Sequence, residues 1–207
     1  MPTKTAGLTA SPPQALPFAP SLHVRSFLLP RAQGNLIVYG TDGLASAFGD
    51  RSVARLYLNH SHEAMFASEP VDAPVFVHED DRDAVGDALD VRATFSRRHK
   101  LDDDFEVIPT PGHTPGATAY LWDDGERRHL FTGDTIYLSG GEWVAAVLNS
   151  SDRARYLESL ELIRDLEFDV LVPWAATAGE PWGAETDTAD TRQRLDTIIE
   201  RVRGGGD

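Results

Sequence analysis

The segment Thr110–Gly116 restricts the fold more than any other part of the chain, because it reads Thr-Pro-Gly-His-Thr-Pro-Gly. Two prolines and two glycines within seven residues predict a tight turn whose backbone is fixed on both sides of one histidine. Strand-like residues precede this turn at 105–108 and follow it at 117–122. The pattern therefore predicts a rigid corner between two strands, with the imidazole of His113 held in one place.

Strand and helix patterns share the rest of the 207 residues. Further strands are predicted at 22–29, 35–39, 52–58, 73–78, 128–132 and 168–172. Apolar residues at helical spacing predict helices over 79–89, 151–166 and 188–203. The chain is therefore predicted to be a mixed α/β (α+β) protein. One domain at 21–203 would follow an irregular N-terminal arm at 1–20 that is rich in Pro, Ala, Ser and Thr.

Composition excludes several classes of function. The chain has no cysteine, so disulfides, thiolate metal sites and a cysteine nucleophile are excluded, and any metal must be bound by His, Asp or Glu. A net charge of −14 argues against nucleic acid or an anionic membrane as a partner. No segment resembles a signal peptide or a membrane span, so a cytoplasmic location is expected.

Candidate metal ligands stand at three predicted strand ends. His60 and His62 follow the strand at 52–58, His113 lies in the corner, and Asp134 follows the strand at 128–132. Residues i and i+2 of an extended segment project to the same side, so His60 and His62 are expected to bind one ion together. Each feature alone is weak, because solvated histidines and Gly-Asp turns are common. Their joint occurrence predicts a site of three histidines and one carboxylate.

These motifs together resemble the metallo-β-lactamase-fold hydrolases, in the branch that includes glyoxalase II-like enzymes. The resemblance extends over about residues 22–180, and its motifs are Leu-Asn-His-Ser-His at 58–62, the 110–116 turn, Phe-Thr-Gly-Asp at 131–134 and Leu-Val-Pro at 171–173. It implies a four-layer αββα sandwich with the metal site at one end of two sheets. It also implies that His60, His62 and His113 are the ligands of the family's first metal position and that Asp134 is shared with the second.

The sequence departs from the family where the second metal would bind. The family motif His-x-His-x-Asp-His reads His-Ser-His-Glu-Ala-Met here, so Ala64 and Met65 replace two ligands. Ala175 stands near the place of the final metal histidine, after Pro173-Trp174. Of the second position's ligands, the resemblance leaves only the shared Asp134. One carboxylate alone binds an ion poorly, so the sequence predicts a mononuclear site.

The leading functional hypothesis is a metal-dependent hydrolase of an ester, thioester, lactone or amide. One divalent ion is predicted, with zinc first and iron or manganese as alternatives, and Asp134 is its fourth ligand or orients the bound water. Glu63, the acid inside the first motif, is the candidate base. Two other classes stay open, namely a mononuclear iron enzyme like the sulfur dioxygenases of this fold and an inactive binding protein that retains the fold.

The predicted partner is a small-molecule substrate, with no nucleic acid and no membrane, and a homodimer is left open. Two loops at 139–149 and 176–185 carry Trp143 and Trp182, which are candidates for lining a substrate pocket.

Overall fold

The structure is a computed structural model that describes residues 7–66, 72–86 and 88–206. Its strands are β1 Thr9–Ala10, β2 Gln14–Leu16, β3 Ala19–Val24, β4 Phe27–Leu29, β5 Asn35–Val38, β6 Val53–Tyr57, β7 Val75–His78, β8 Val91–Phe95, β9 His99–Leu101, β10 Phe105–Pro109, β11 Thr118–Asp123, β12 Arg128–Gly133, β13 Tyr137–Ser139, β14 Glu142–Val144, β15 Val170–Pro173, β16 Ala175–Thr177 and β17 Ala184–Glu185. Its α-helices are α1 Leu44–Phe48, α2 Arg82–Val85, α3 Arg153–Arg164 and α4 Thr188–Arg203, and 3-10 helices span Ser61–Phe66 and Glu79–Asp81.

Two six-stranded sheets form the centre of the fold. The first has the order β1-β4-β5-β6-β7-β8 and the second β17-β15-β12-β11-β10-β9. Strands β5 to β8 run parallel, while β9 to β12 run antiparallel and β15 joins β12 in parallel. A smaller five-stranded sheet has the order β14-β13-β16-β3-β2.

Alternating side chains divide the apolar residues into layers, as the two-residue period of a strand requires. In β4, Phe27 and Leu29 belong to the core that the two large sheets share, whereas Leu28 faces α1 and α2. In β12, Phe131 faces the shared core and Leu130 faces α3 and α4. The layers are therefore helix, sheet, sheet and helix. This confirms the predicted four-layer αββα sandwich.

The two long helices match their predictions. Helix α3 begins after Asp152, whose carboxylate accepts from the backbone N–H groups of Ala154 and Arg155, and α4 begins after Asp187 with the same arrangement. Such caps satisfy N–H groups that the first helical turn leaves unpaired. Within the described residues, no helix has the length and apolar content needed to cross a membrane.

The prediction of an irregular arm at 1–20 is wrong for the residues that the structure describes. Strand β1 pairs with β4, β2 pairs with β3, and β3 already begins at Ala19. Residues 1–6 lie outside the described residues. Strands of two or three residues have no readable period, and their distant partners determine them.

Two other predicted elements are also divided or shortened. The single strand at 22–29 is two strands, because Arg25 and Ser26 bond to Trp174 and Ser11 while the chain passes from the small sheet to the first large sheet. The helix at 79–89 is a 3-10 turn followed by the short α2. It ends at Gly86, where φ is 58°. Asp87 lies outside the described residues.

Tyr39 connects the two large sheets at the end where the candidate site lies. It follows β5 in a left-handed conformation with φ of 72°, which is costly for a bulky residue. Its hydroxyl donates to the carbonyl of Val172 in β15 (2.6 Å) and accepts from the N–H of Gly133 in β12 (2.8 Å). Two buried backbone groups of the second sheet therefore depend on one side chain of the first.

We expect Tyr39→Phe to lower the free energy of unfolding by about 3 kcal/mol, because one acceptor and one donor are left buried without a partner. Urea unfolding followed by circular dichroism measures the change. Tyr57→Phe is the matched control, since its hydroxyl accepts from the Arg55 side chain at a partly buried position, and a loss below about 1 kcal/mol is expected there. Equal losses in both variants would contradict this account of Tyr39.

Candidate metal centre

The loop Thr110–Gly116 is pressed against the first turns of α3. A Cβ atom at Gly112, where φ is 141°, would lie only 2.4 Å from Cα of Tyr156. The carbonyl of Gly112 accepts from the N–H of Asp152 (3.0 Å), and the hydroxyl of Ser159 donates to the carbonyl of Pro111 (2.7 Å). Glycine is required here for the close approach, and the loop conformation is fixed by a helix distant in sequence.

This loop presents the imidazole of His113 in one orientation. The side chain is buried, and its Nδ1 donates to the carbonyl of Ala146 at 2.6 Å. A carbonyl oxygen only accepts, so Nδ1 carries a proton and Nε2 is the nitrogen available to a ligand. Nε2 points toward His62, whose Nδ1 lies 3.1 Å away.

The imidazoles of His60 and His62 also lie beside His113, but the backbone that carries them differs from the sequence prediction. They do not lie on an extended segment, because a 3-10 helix begins at Ser61, directly after His60. The rings of His60 and His62 have centroids 5.2 Å apart and planes at 88°. His62 therefore contributes Nδ1, whereas His60, whose Nδ1 lies 3.1 Å from Glu63, contributes Nε2.

The three histidines form a group that fits a metal ion. One ligand atom from each of His60, His62 and His113 lies within 4.8 Å of the other two. The 3.1 Å between His62 Nδ1 and His113 Nε2 is close to the separation of about 3.3 Å expected of two imidazole nitrogens on one tetrahedral zinc ion. Nε2 of His60 is buried and has no hydrogen-bond partner, which a bound ion would supply.

Asp134 is the fourth member of the site. It follows Gly133, where φ is 56° and a Cβ atom would lie 1.8 Å from Oδ1 of Asn59. Oδ2 of Asp134 lies 3.5 Å from Nε2 of His60 and 3.8 Å from Nε2 of His113, and its Oδ1 is buried without a partner. All four residues predicted as metal ligands are therefore brought together by tertiary structure.

Comparison with known families identifies the chain. The model of the metallo-β-lactamase superfamily matches residues 43–175, a span that contains all four residues. The chain belongs to the metallo-β-lactamase superfamily. The hydroxyacylglutathione hydrolase of Shewanella loihica is 40% identical over 73 residues, which are 35% of this chain and 25% of that protein. The chain thus matches only a quarter of this curated relative's length.

Solved structures share the metallo-β-lactamase fold at low identity. An archaeal metallo-β-lactamase superfamily protein from Sulfolobus tokodaii aligns with a TM-score of 0.63 at 18% identity, over 94% of this chain and 87% of that one. The metallo-β-lactamase GOB-18 from Elizabethkingia meningoseptica aligns with a TM-score of 0.60 at 15% identity, over 89% and 88%. These likenesses establish the fold and extend over nearly the whole chain.

Glu63 does not occupy the position that a catalytic base requires. It is 1% exposed, its Oε2 accepts from the N–H of Gly40 (2.6 Å), and its Oε1 accepts from the N–H of Asn59 (2.8 Å). The carboxylate therefore lies on the Nδ1 side of His60, away from the ligand nitrogens. This geometry disfavours the sequence-based prediction of Glu63 as the base.

Asp81 is a buried carboxylate of the site that sequence reasoning missed. Its oxygens accept from the N–H of Ser61 (2.8 Å), the hydroxyl of Thr114 (2.7 Å) and the N–H of Gly116 (2.8 Å). It thereby ties the segment that carries His62 to the loop that carries His113. In the sequence it is one acid in the run Glu79–Asp81, where helix-start acids are common, so only its 1% exposure distinguishes it.

The three sequence positions where the resemblance places the family's other ligands carry apolar side chains. Ala64 packs with the outer core of the first sheet, Met65 is 48% exposed, and Ala175 is buried in β16. Trp174 lies edge-on to His60 with ring centroids 5.1 Å apart. The residues that depart from the family motif are therefore not replaced by other polar side chains at these positions.

Neither loop tryptophan forms part of the site. Trp143 is 3% exposed and stacks on Phe168, and Trp182 packs on Phe27 in the core between the two large sheets. The hypothesis that they line a pocket is replaced by a structural role.

The charges of the site are coupled. Burial opposes protonation of His60, but Asp134 and Glu63 together raise its pKa to about 10. Burial and then the charge on His60 lower the pKa of His113 to about 4, and the same two causes lower the pKa of His62. Burial raises the pKa of Glu63, although its hydrogen bond to His60 opposes the shift. Without an ion, His60 therefore carries an additional proton and a positive charge at neutral pH.

We expect the affinity for zinc to rise by about tenfold per pH unit between pH 7 and 9, because the proton on His60 must leave before Nε2 binds the ion. The direction follows from a His60 pKa of about 10, above this range, while His113, at about 4, is already neutral. Competition with a chromogenic chelator measures the affinity, and a pH indicator in weak buffer measures the released proton. An affinity that does not change with pH, with no proton release, would contradict the coupling.

Proposed function

We propose that this chain is a metal-dependent hydrolase whose single divalent ion is bound by Nε2 of His60, Nδ1 of His62 and Nε2 of His113. The observation that carries the proposal is the convergence of these three nitrogens, one of them buried and unpaired. The donor set is nitrogen and oxygen only, which suits zinc first and allows iron or manganese.

The proposed site is mononuclear because residues 64, 65 and 175, where the family's other ligands are expected, are not His, Asp or Glu. Two of the replaced ligands, Ala64 and Ala175, are packed in apolar cores, and the third, Met65, is exposed to solvent. Among the described residues, the three histidines are the only group of three or more His, Cys, Asp or Glu residues whose ligand atoms meet. A second ion would have only Asp134.

The proposed reaction is the hydrolysis of an ester, thioester, lactone or amide. When bound, a divalent ion lowers the pKa of a water molecule to about 7 and polarises a carbonyl. Oδ1 of Asp134 is free of protein partners, so it is placed to accept a hydrogen bond from that water and hold its orientation. Nδ1 of His113 and Nδ1 of His60 are engaged by acceptors, which keeps both rings fixed during the reaction.

A mononuclear iron dioxygenase is the second candidate, because Asp134 lies within 4 Å of both His60 and His113 and the three form a two-histidine, one-carboxylate set. The position of His62 disfavours it, since its Nδ1 enters the same space and leaves fewer open positions for oxygen. Oxygen uptake with ferrous iron and glutathione persulfide tests this candidate, and a flat trace removes it.

The apolar groups beside the site indicate a neutral, partly apolar substrate. Side chains three residues apart in a 3-10 helix lie on one face, so the exposed Met65 lies beside His62. Leu148, 42% exposed, belongs to the loop whose Ala146 carbonyl binds His113. The carboxylates of Asp134, Glu63 and Asp81 surround the histidines, which disfavours an anionic group close to the reacting carbonyl.

We expect protein purified without chelator to contain about one divalent ion per chain, and His60→Ala to lose the ion and the rise in melting temperature on adding zinc. Elemental analysis and thermal unfolding measure these quantities. His99→Ala is the control, because His99 is exposed and outside the group. Two ions per chain would contradict the mononuclear site. A His60→Ala variant that matches wild type would favour an inactive binding protein instead.

We expect Met65→Ser and Leu148→Ser each to lower the preference for p-nitrophenyl hexanoate over the acetate, measured as the ratio of kcat/KM values, by about tenfold. The reason is the loss of apolar surface against the longer acyl chain. Phe18→Ser is the matched control, since Phe18 is 74% exposed but lies between β2 and β3. A ratio that responds to Phe18 and not to the other two would contradict the assignment.

A further inference from the structure

Glu63 is part of a closed set of buried contacts behind the metal centre. Oε2 accepts from the N–H of Gly40, and Oε1 lies 3.1 Å from Nδ1 of His60. The carbonyl of Gly40 in turn accepts from Nε1 of Trp174 (3.1 Å), whose ring lies edge-on to His60. Glu63, Gly40, Trp174 and His60 therefore form a closed cycle of contacts.

This cycle of contacts restrains the rotation of the His60 imidazole and fixes its tautomer. A carboxylate that already accepts backbone N–H groups from Gly40, Asn59 and His60 acts as an acceptor, so the nitrogen facing it must donate. A proton on Nδ1 leaves the lone pair of Nε2 directed into the site, where this nitrogen has no hydrogen-bond partner and Oδ2 of Asp134 lies 3.5 Å away. Trp174 packs against the imidazole of His60 and limits its tilt.

Sequence alone gives Glu63 no such role. Glu63 lies between His62 and the lost ligand positions Ala64 and Met65, but the 3-10 helix turns its side chain inward, with Phe66 on the same buried face. Phe66 packs edge-on to Trp174 with centroids 5.7 Å apart. The carboxylate and two aromatic rings thus form one buried cluster behind His60.

We propose that Glu63 is a positioning residue of the metal centre, which fixes His60 as the Nδ1–H tautomer and so presents Nε2 to the ion. The inference rests on the proposed metal binding by His60, His62 and His113. Carboxylates that orient a metal-binding histidine in this way affect affinity through the ligand without touching the ion.

The decisive variant is Glu63→Gln, because an amide places an N–H₂ group opposite either the N–H of Gly40 or Nδ1 of His60. We expect the dissociation constant for zinc, measured by chelator competition, to rise by about 10- to 100-fold. Glu158→Gln, an exposed glutamate of α3, is the matched control and is expected to bind zinc like wild type.

A second measurement needs no variant and separates positioning from general stability. In zinc-loaded wild-type protein, long-range ¹H–¹⁵N NMR spectra of the imidazoles are expected to show His60 protonated at Nδ1, with a slowly exchanging hydrogen-bonded proton. If Glu63→Gln folds, this proton is expected to exchange faster.

The outcomes distinguish this inference from the proposed function. If wild-type protein binds no zinc, both fall. If wild type binds zinc but a folded Glu63→Gln protein binds it within about threefold of wild type, only the positioning role of Glu63 is overturned. If His60 of the zinc-loaded protein is protonated at Nε2, the positioning role falls together with the assignment of this nitrogen as a ligand.

Discussion

The face-to-face packing of two twisted sheets determines where the candidate site can form. The shared core buries one side of β4, β5 and β6 against one side of β10, β11, β12 and β15. This packing brings the residues that follow β6, β10, β12 and β15 to one end of the molecule. At that end Asn59 donates to the carbonyl of Thr118 and accepts from its N–H through the backbone, so the two sheets are joined beside the histidines. The site depends on this junction because its ligands come from both sheets.

Buried carboxylates hold the loops at that junction. Asp81 accepts from the histidine segment and the histidine loop, and Glu63 accepts from backbone groups after β5 and β6. Buried backbone N–H groups of loops need hydrogen-bond acceptors, and one carboxylate can accept several such hydrogen bonds. Both acids, which a reader of the sequence would assign to solvent or to catalysis, accept several hydrogen bonds, whereas Oδ1 of Asp134 is buried without a partner.

Apolar groups stand beside the proposed metal centre at the positions where the resemblance places the family's other ligands. Trp174 packs against His60, while Ala175 continues into β16 and pairs with Val24 of the small sheet. That pairing places the backbone after β15 in a sheet, and the apolar side chains there strengthen the core. These contacts support the proposal of a site for one ion.

Sequence by itself determined the family, the layered fold, the two long helices and the four candidate ligands His60, His62, His113 and Asp134, because local spacing and the Thr110–Gly116 turn carry that information. Tertiary structure decided the rest. The division of 22–29 into two strands depends on Ser11 and Trp174, and the burial of Trp143 and Trp182 depends on Phe168 and Phe27. Even the agreement on His60 and His62 had another cause, a 3-10 helix instead of an extended strand. The roles of Glu63 and Asp81 were decided by backbone N–H groups far along the chain, because a carboxylate's role depends on which donors surround it, and no local pattern records them.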